Sequence, residues 1–294
     1  MPTLQQFEKD EQFMRLVRRE GDIDLVTAAL EIARDGQPDL EFEPTLTKIR
    51  KAVSELTRPI AMADDEVSEL NLLVEYLTEE LNLHGHNDSF DSAECSYLNC
   101  VMESGRGIPI SLSVIYMAVA NELGIPLIGV AAPSHFLTQL QTDREVLYVD
   151  AFRRGHIMNE RECVQWLHEL TELPMAEIWP TLKPTNERRI MVRMLNNLKA
   201  VFGNNDEWAS AWRVQQRLAL LSPGSYREKR DLAILSLRAG RGGEAVTQLE
   251  SCIAVCSPEE RPQLQQYLDA GLDEVAAAEA AVGAGGCADE AQSA

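Results

Sequence analysis

The chain has 294 residues, of which 45% are hydrophobic and 25% charged, enough for one or two domains with a real core. A formal net charge of -20 repels phosphate backbones and anionic lipids, so neither nucleic acid nor a membrane surface is an expected partner. No apolar run approaches the roughly 18 residues of a membrane span, and charges interrupt the first twenty residues before a signal sequence can form. The six cysteines are scattered, which is typical of free thiols. We therefore expect a cytoplasmic location.

The first ninety residues predict a helical segment. "DIDLVTAALEIARDGQPDL" (22–40) begins at an aspartate suited to an N-cap and carries apolar residues at helical spacing. "LTKIRKAVSELTRPIA" (46–61) and "EVSELNLLVEYLTEELNL" (66–83) repeat the pattern. In the last of these, the apolar residues that share one helical face are Leu70, Leu73, Val74, Leu77 and Leu81.

The central part of the chain predicts helices followed by strands. A short helix covers "SYLNCVMES" (96–104), and a buried helix covers "SLSVIYMAVANEL" (111–123), which ends before Gly124. Strands are predicted in "PLIGVAA" (126–132), "HFLTQLQ" (135–141) and "VLYVDAF" (146–152), with a turn at "TDRE". One buried helix packed on a small antiparallel sheet indicates an α+β domain.

From about Thr185 the chain becomes helical again, and a repeat appears. At an offset of 34 residues, Leu198 matches Leu232 and Ala211 matches Ala245. This period is typical of tetratricopeptide repeats. We therefore predict three segments, a first domain over 1–182, helical repeats over 183–275, and a low-complexity, disordered tail over 276–294.

His135 and Asp150 are the best candidates for chemistry. His135 begins one predicted strand and Asp150 ends the next, so pairing of the two strands around "TDRE" places both side chains at the same end of the sheet. An aspartate beside a histidine fixes the tautomer and stabilises the imidazolium. A nucleophile is expected at the start of the packed helix, where the helix dipole lowers the pKa of a thiol.

The order of helix, histidine strand and aspartate strand resembles the papain-like core of transglutaminases. More specifically, "RGIPISLS", "PSHFL" and "DIDLVTAALEIARDGQPDL" resemble the SirB-type bacterial family, in which a transglutaminase-like domain precedes tetratricopeptide repeats. The resemblance implies this fold and matches His135 and Asp150 to the family's histidine and aspartate. Where an active core has a "GxC" motif, this chain has Gly107-Ile108-Pro109, without a thiol.

Two interpretations of these residues stay open. Ser111 is either an N-cap or a replacement nucleophile, and the His135–Asp150 pair is either structural or chemical. Cys95 and Cys100 lie close enough in sequence to be recruited. Near the helix entrance, the residues expected to line a cleft are Asn99, Glu103 and Arg106.

The missing thiol favours a non-catalytic protein, because loss of the nucleophile costs a serine protease roughly a millionfold in kcat. We expect a module that binds a protein or peptide through its cleft and helical repeats. The alternative is a hydrolase or acyl-transferase that uses Ser111 or a recruited cysteine with His135 and Asp150. The sequence gives no motif for a cofactor, and neither a cofactor nor a metal is expected.

Overall fold

The computed structural model describes residues 4–289. These residues form two compact units, one over Phe7–Val201 and one that combines residues 4–6 with residues 202–289. The division falls inside a helix, Glu187–Asn204, whereas the sequence prediction places it after residue 182. No helix in the described part of the chain combines the length and apolar character that a bilayer crossing requires.

Helices make up most of the first unit. They are α1 (Glu11–Arg18), α2 (Leu25–Ala33), α3 (Glu43–Ala61), α4 (Glu66–Glu75), α5 (Leu98–Ser104), α6 (Pro109–Glu122), α7 (Glu160–Thr171), α8 (Met175–Ile178) and α9 (Glu187–Asn204). Asp24 caps α2, because its carboxylate accepts hydrogen bonds from the backbone N–H groups of Val26 and Thr27. In α4 and the π-helical turn that follows it, the predicted apolar face is buried at Leu70, Leu73 and Leu77.

The sheet lies in the same unit and has four antiparallel strands, whose order in space follows their order along the chain. Two further strands of two residues each pair in parallel before them. The strands are β1 (His84–Gly85), β2 (Arg106–Gly107), β3 (Ile128–Val130), β4 (Leu137–Gln141), β5 (Val146–Asp150) and β6 (His156–Asn159). The sequence predicts β3, β4 and β5, while β6 and the β1–β2 pair emerge only in the structure.

Helix α6 is the centre of this unit. It carries no charged residue before Glu122, and eleven of its residues are buried, including Ser111 and Ser113. It packs against α2 and α3 on one side and against β3 and β4 on the other. The other face of the sheet is covered by α7, where Leu137 and Tyr148 share a core with Cys163 and Leu167. The α+β class is therefore confirmed.

The second unit is a stack of helices. They are α10 (Trp208–Leu221), α11 (Tyr226–Arg238), α12 (Gly242–Ile253) and α13 (Arg261–Asp289), and each contacts the next along the chain. Ala245 from the 34-residue pattern packs with Ala233 and Leu264 in their common core. Helix α13 continues into the segment predicted to be disordered, because its alanines favour a helix; residues 290–294 of that segment lie outside the described residues.

Candidate functional site

The structure brings His135 and Asp150 together. The antiparallel register of β4 and β5, with Thr138 opposite Val149, sets the two residues at one end of the sheet. His135 Nε2 lies 2.9 Å from Asp150 Oδ1, and both residues are buried. In the described part of the chain no hydrogen bond reaches the other ring nitrogen, Nδ1. With the proton on Nε2, Nδ1 is therefore an acceptor that is free for a ligand.

Backbone contacts fix both members of this pair. Asp150 Oδ1 also accepts hydrogen bonds from the N–H groups of Phe152 and Arg153, so the carboxylate caps the turn after β5. Arg193, from α9, donates to the carbonyl oxygens of Ala132 at 3.1 Å and His135 at 2.7 Å. The guanidinium thereby closes the turn that carries the imidazole, and burial lowers the pKa of Arg193.

Aromatic side chains surround the imidazole. The ring of His135 meets Phe152 edge-on at 6.0 Å and Trp166 at 5.0 Å between centroids. The guanidinium of Arg153 lies 5.1 Å from the centre of the Trp166 ring. Phe152 in turn packs against the backbone of β1, where a Cβ on Gly85 would lie 2.0 Å from its ring. The His135–Asp150 pair is thus bordered by Phe152, Trp166 and the guanidinium of Arg153, which together form an aromatic wall.

The Ser111 side chain is hydrogen-bonded to backbone groups at the start of α6. Its hydroxyl donates to the Cys95 carbonyl oxygen at 2.6 Å and accepts from the Ile108 N–H group at 3.1 Å. The N-cap position belongs to Ile108, and Ser111 lies three residues inside. It makes no hydrogen bond to His135, so its proton is shared with a carbonyl oxygen and not with a base.

Two thiols of the first unit, those of Cys163 and Cys100, have pKa values shifted away from the reactive thiolate form. Burial is the main cause that raises the pKa of Cys163 to about 12, and the negative charge of Asp150 adds to it. Burial also raises the pKa of Cys100, whose sulfur accepts a hydrogen bond from Gln37 Nε2 at 3.3 Å. A nucleophilic cysteine requires the opposite shift.

The three predicted cleft residues differ in burial and in hydrogen bonding. Asn99 is buried, and its Nδ2 donates to Gln37 Oε1 at 2.7 Å, which braces α5 against the segment after α2. Glu103 and Arg106 are exposed and form no ion pair with each other. None of the three is hydrogen-bonded to His135 or Asp150.

Three residues around the pair are not predicted by the sequence patterns, namely Arg193, Phe152 and Trp166. Phe152 directly follows the aspartate strand in "VDAF", so the capped turn was a local signal that could have identified it. Arg193 lies 58 residues after His135, and no spacing rule connects them. Among residues 4–289, no group of three or more metal-type side chains lies together.

A buried helix facing a histidine and an aspartate on adjacent strands defines a transglutaminase-like domain, and a stack of helices follows it. The family model of the transglutaminase-like superfamily matches residues 43–196, and that of a tetratricopeptide repeat matches residues 198–277. The chain belongs to this superfamily and, within it, to the SirB-type family of UPF0162 proteins.

Relatives span bacteria and mammals. A UPF0162 protein of Xylella fastidiosa strain Temecula1 is 34% identical over 232 residues, which cover 77% of this chain and 82% of that protein. Protein SirB1 of Salmonella typhimurium is 25% identical over 69% of this chain and 78% of its own length. F-box only protein 21 of Mus musculus is 26% identical over 60% of this chain and 27% of its own length. No solved structure matches.

Proposed function

We propose that the chain is a non-catalytic transglutaminase-like protein that binds a protein or peptide partner through its cleft and its helical repeats. One observation carries the proposal. Helix α6 begins with Pro109, Ile110 and Ser111, and the only hydroxyl among them is bound to the Cys95 carbonyl oxygen. In this first turn of α6, no side chain is available as a nucleophile for His135 to activate.

The repeats support the binding half of the proposal. Tetratricopeptide repeats commonly bind peptides on their surface. Arg227 and Lys229 of helix α11 are exposed, and neither side chain makes an ion pair or hydrogen bond in the described part of the chain. These cations belong to a chain of net charge -20, so they offer a local contact for an acidic group of a partner.

Two experiments on the full chain test the proposal. Fluorophosphonate and iodoacetamide probes, with a panel of amide and ester substrates, should give no labelling or turnover that His135→Ala abolishes. Affinity capture followed by mass spectrometry should recover a partner that the double variant Arg227→Glu/Lys229→Glu loses. The matched variant Arg58→Glu/Arg161→Glu, which reverses two exposed cations outside the repeats, should retain it. Turnover lost in His135→Ala would refute the non-catalytic half, and a partner retained by the α11 variant would refute the role of the repeats.

One observation favours a hydrolase or acyl-transferase as a second candidate. The imidazole is held by Asp150, and its Nδ1 is free of hydrogen bonds in the described part of the chain, as a general base requires. Such an enzyme would use Ser111 or a recruited cysteine as its nucleophile. Probe labelling of one serine or cysteine, lost in both His135→Ala and Asp150→Ala but kept in Asp143→Ala, would establish it.

A further inference from the structure

A cavity of about 790 Å³ opens in the first unit between α2, α3 and α6. Ligand pockets range from roughly 300 to 1,000 Å³, so this cavity has the size of a binding site. None of its lining residues belongs to the His135–Asp150 pair or to the aromatic wall around it. It is therefore a separate feature of the transglutaminase-like domain.

One wall of the cavity is an apolar stripe on α3. Leu46, Ile49 and Val53 follow one another at intervals of three and four residues, which places them on one helical face. Ile49 is buried, whereas Leu46 and Val53 are half-buried and stand at the mouth of the cavity. These two side chains still expose apolar surface that a ligand would cover.

The facing wall is a stripe on α6. Val114, Met117 and Ala118 lie at helical spacing, and the stripe continues to Asn121 and Glu122. At 1.5 Å per residue, this wall is about 12 Å long, or roughly two helical turns. Two helical stripes that face one cavity of this length form a groove suited to a short helix.

The rim of the groove is negatively charged. Glu122 and Glu187 are exposed, and neither makes an ion pair or hydrogen bond within residues 4–289. Asp24 adds a third carboxylate, which caps α2. The one cation of the lining, Arg50, is already paired with Glu43. An apolar floor below unpaired carboxylates is complementary to an apolar segment that carries positive charge.

We propose that this groove binds an amphipathic helix of a partner protein. Apolar side chains of that helix fill the space between the α3 and α6 stripes, and its lysine or arginine side chains pair with Glu122 and Glu187. The proposal goes beyond the function above, because it uses neither the helical repeats nor the cleft near His135. It gives the transglutaminase-like domain a binding surface of its own.

The test uses two fluorescent model peptides and fluorescence anisotropy on the full chain. One peptide is a helix with leucines on one face and lysines on the other, and the second has glutamates in place of lysines. Ala118→Trp fills the groove with a bulky ring, and Glu122→Lys/Glu187→Lys reverses the rim. Glu79→Lys/Glu250→Lys is the control, because it changes the net charge equally at exposed residues that do not line the groove.

The lysine peptide should bind more tightly than the glutamate peptide, and each groove variant should weaken its affinity by about tenfold. The control variant should stay within about twofold of wild type. If the control weakens binding as much as the rim variant, or if Ala118→Trp binds normally, or if neither peptide binds, the proposal is wrong. Circular dichroism verifies folding, and Val53→Arg replaces Ala118→Trp should the latter not fold. Loss of binding in Arg227→Glu/Lys229→Glu would point to the repeats instead.

Discussion

Asp150 Oδ1 lies 2.9 Å from His135 Nε2. The same oxygen accepts hydrogen bonds from the backbone N–H groups of Phe152 and Arg153 at 3.1 and 3.3 Å. One carboxylate oxygen thus orients the imidazole and closes the turn after β5. The pair therefore has a structural role whether or not it has a chemical one, and the two roles are separable by measurement.

Asp150→Ala should lower the free energy of unfolding by about 3 kcal/mol. It removes the cap and leaves three donors without their acceptor, of which His135 Nε2 is buried, and hydrogen bonds to charged groups are worth about 1.5–3 kcal/mol each. Urea denaturation gives the value. Asp143→Ala, at the exposed tip of the β4–β5 hairpin, should change stability by less than about 0.5 kcal/mol. Equal effects of the two variants would mean that the buried contacts do not stabilise the fold.

Ser111→Ala should cost about 1 kcal/mol of stability, because the hydroxyl no longer bonds the Cys95 carbonyl oxygen and the Ile108 N–H group, although these two groups keep their own hydrogen bond at 3.1 Å. Ser113 offers a matched control two residues further along α6. Its Oγ is buried without a hydrogen bond, so Ser113→Ala should be neutral or stabilising. Thermal unfolding of both variants decides the point, and the reverse order of stabilities would contradict it.

Gly85→Ala should disturb the aromatic wall, since the added Cβ would lie 2.0 to 2.3 Å from three ring atoms of Phe152. Forced overpacking of this kind costs about 1–3 kcal/mol. Gly21→Ala is the control, because no atom lies within 4 Å of its added Cβ. The melting temperatures of both variants provide the measurement. A Gly85→Ala protein as stable as the control would show that Phe152 moves aside without cost.

The free energy of unfolding should fall at alkaline pH because of the buried thiol of Cys163. Burial raises the pKa of its thiol to about 12 from 9.0. The unfolded chain therefore releases the proton first, and the stabilising contribution is complete below pH 9 and lost as the pH rises toward 12. Cys163→Ala should flatten this part of the urea stability curve. An unchanged slope would show that other groups account for it.

Glu260 should make the repeat unit sensitive to acid. Arg230 Nη1 donates to it at 2.6 Å and the Tyr226 hydroxyl at 2.9 Å, and these hydrogen bonds lower its pKa below 4.5. Its contribution is present above pH 4.5 and is lost as the pH falls through the lowered pKa. Glu260→Gln should reduce that loss in circular dichroism between neutral and acidic pH. Glu259 is its exposed neighbour, and the circular dichroism of Glu259→Gln should depend on pH as that of the wild type does.

The sequence predicts those parts of the site that depend on local pattern. The length and apolar character of α6, the breakers at Gly124 and Pro126, and the "TDRE" turn are enough to place His135 beside Asp150. The remaining contacts join distant parts of the chain. Gly85 meets Phe152 through the β1–β2 pair, Trp166 arrives on α7, and Arg193 reaches back from α9. Periodicity carries no information about such packing.

Ser111 shows the same limit at a single residue. Its position near the start of a helix favours a cap, although it also suits a nucleophile. What separates the two is the acceptor of its proton, and that acceptor is a carbonyl oxygen 16 residues earlier in the chain. The predicted boundary after residue 182 differs from the structural division because α9 is one continuous helix that contributes to both units.

Pro109, the first residue of α6, lacks two groups that acyl-transfer chemistry uses at the start of such a helix. It supplies no sulfur, and its ring nitrogen has no hydrogen to donate. Residue 109 therefore contributes neither an attacking sulfur nor an amide hydrogen bond to the oxygen of a tetrahedral intermediate at this helix entrance. A residue at 109 with both a thiol and a backbone N–H group would supply the two at once.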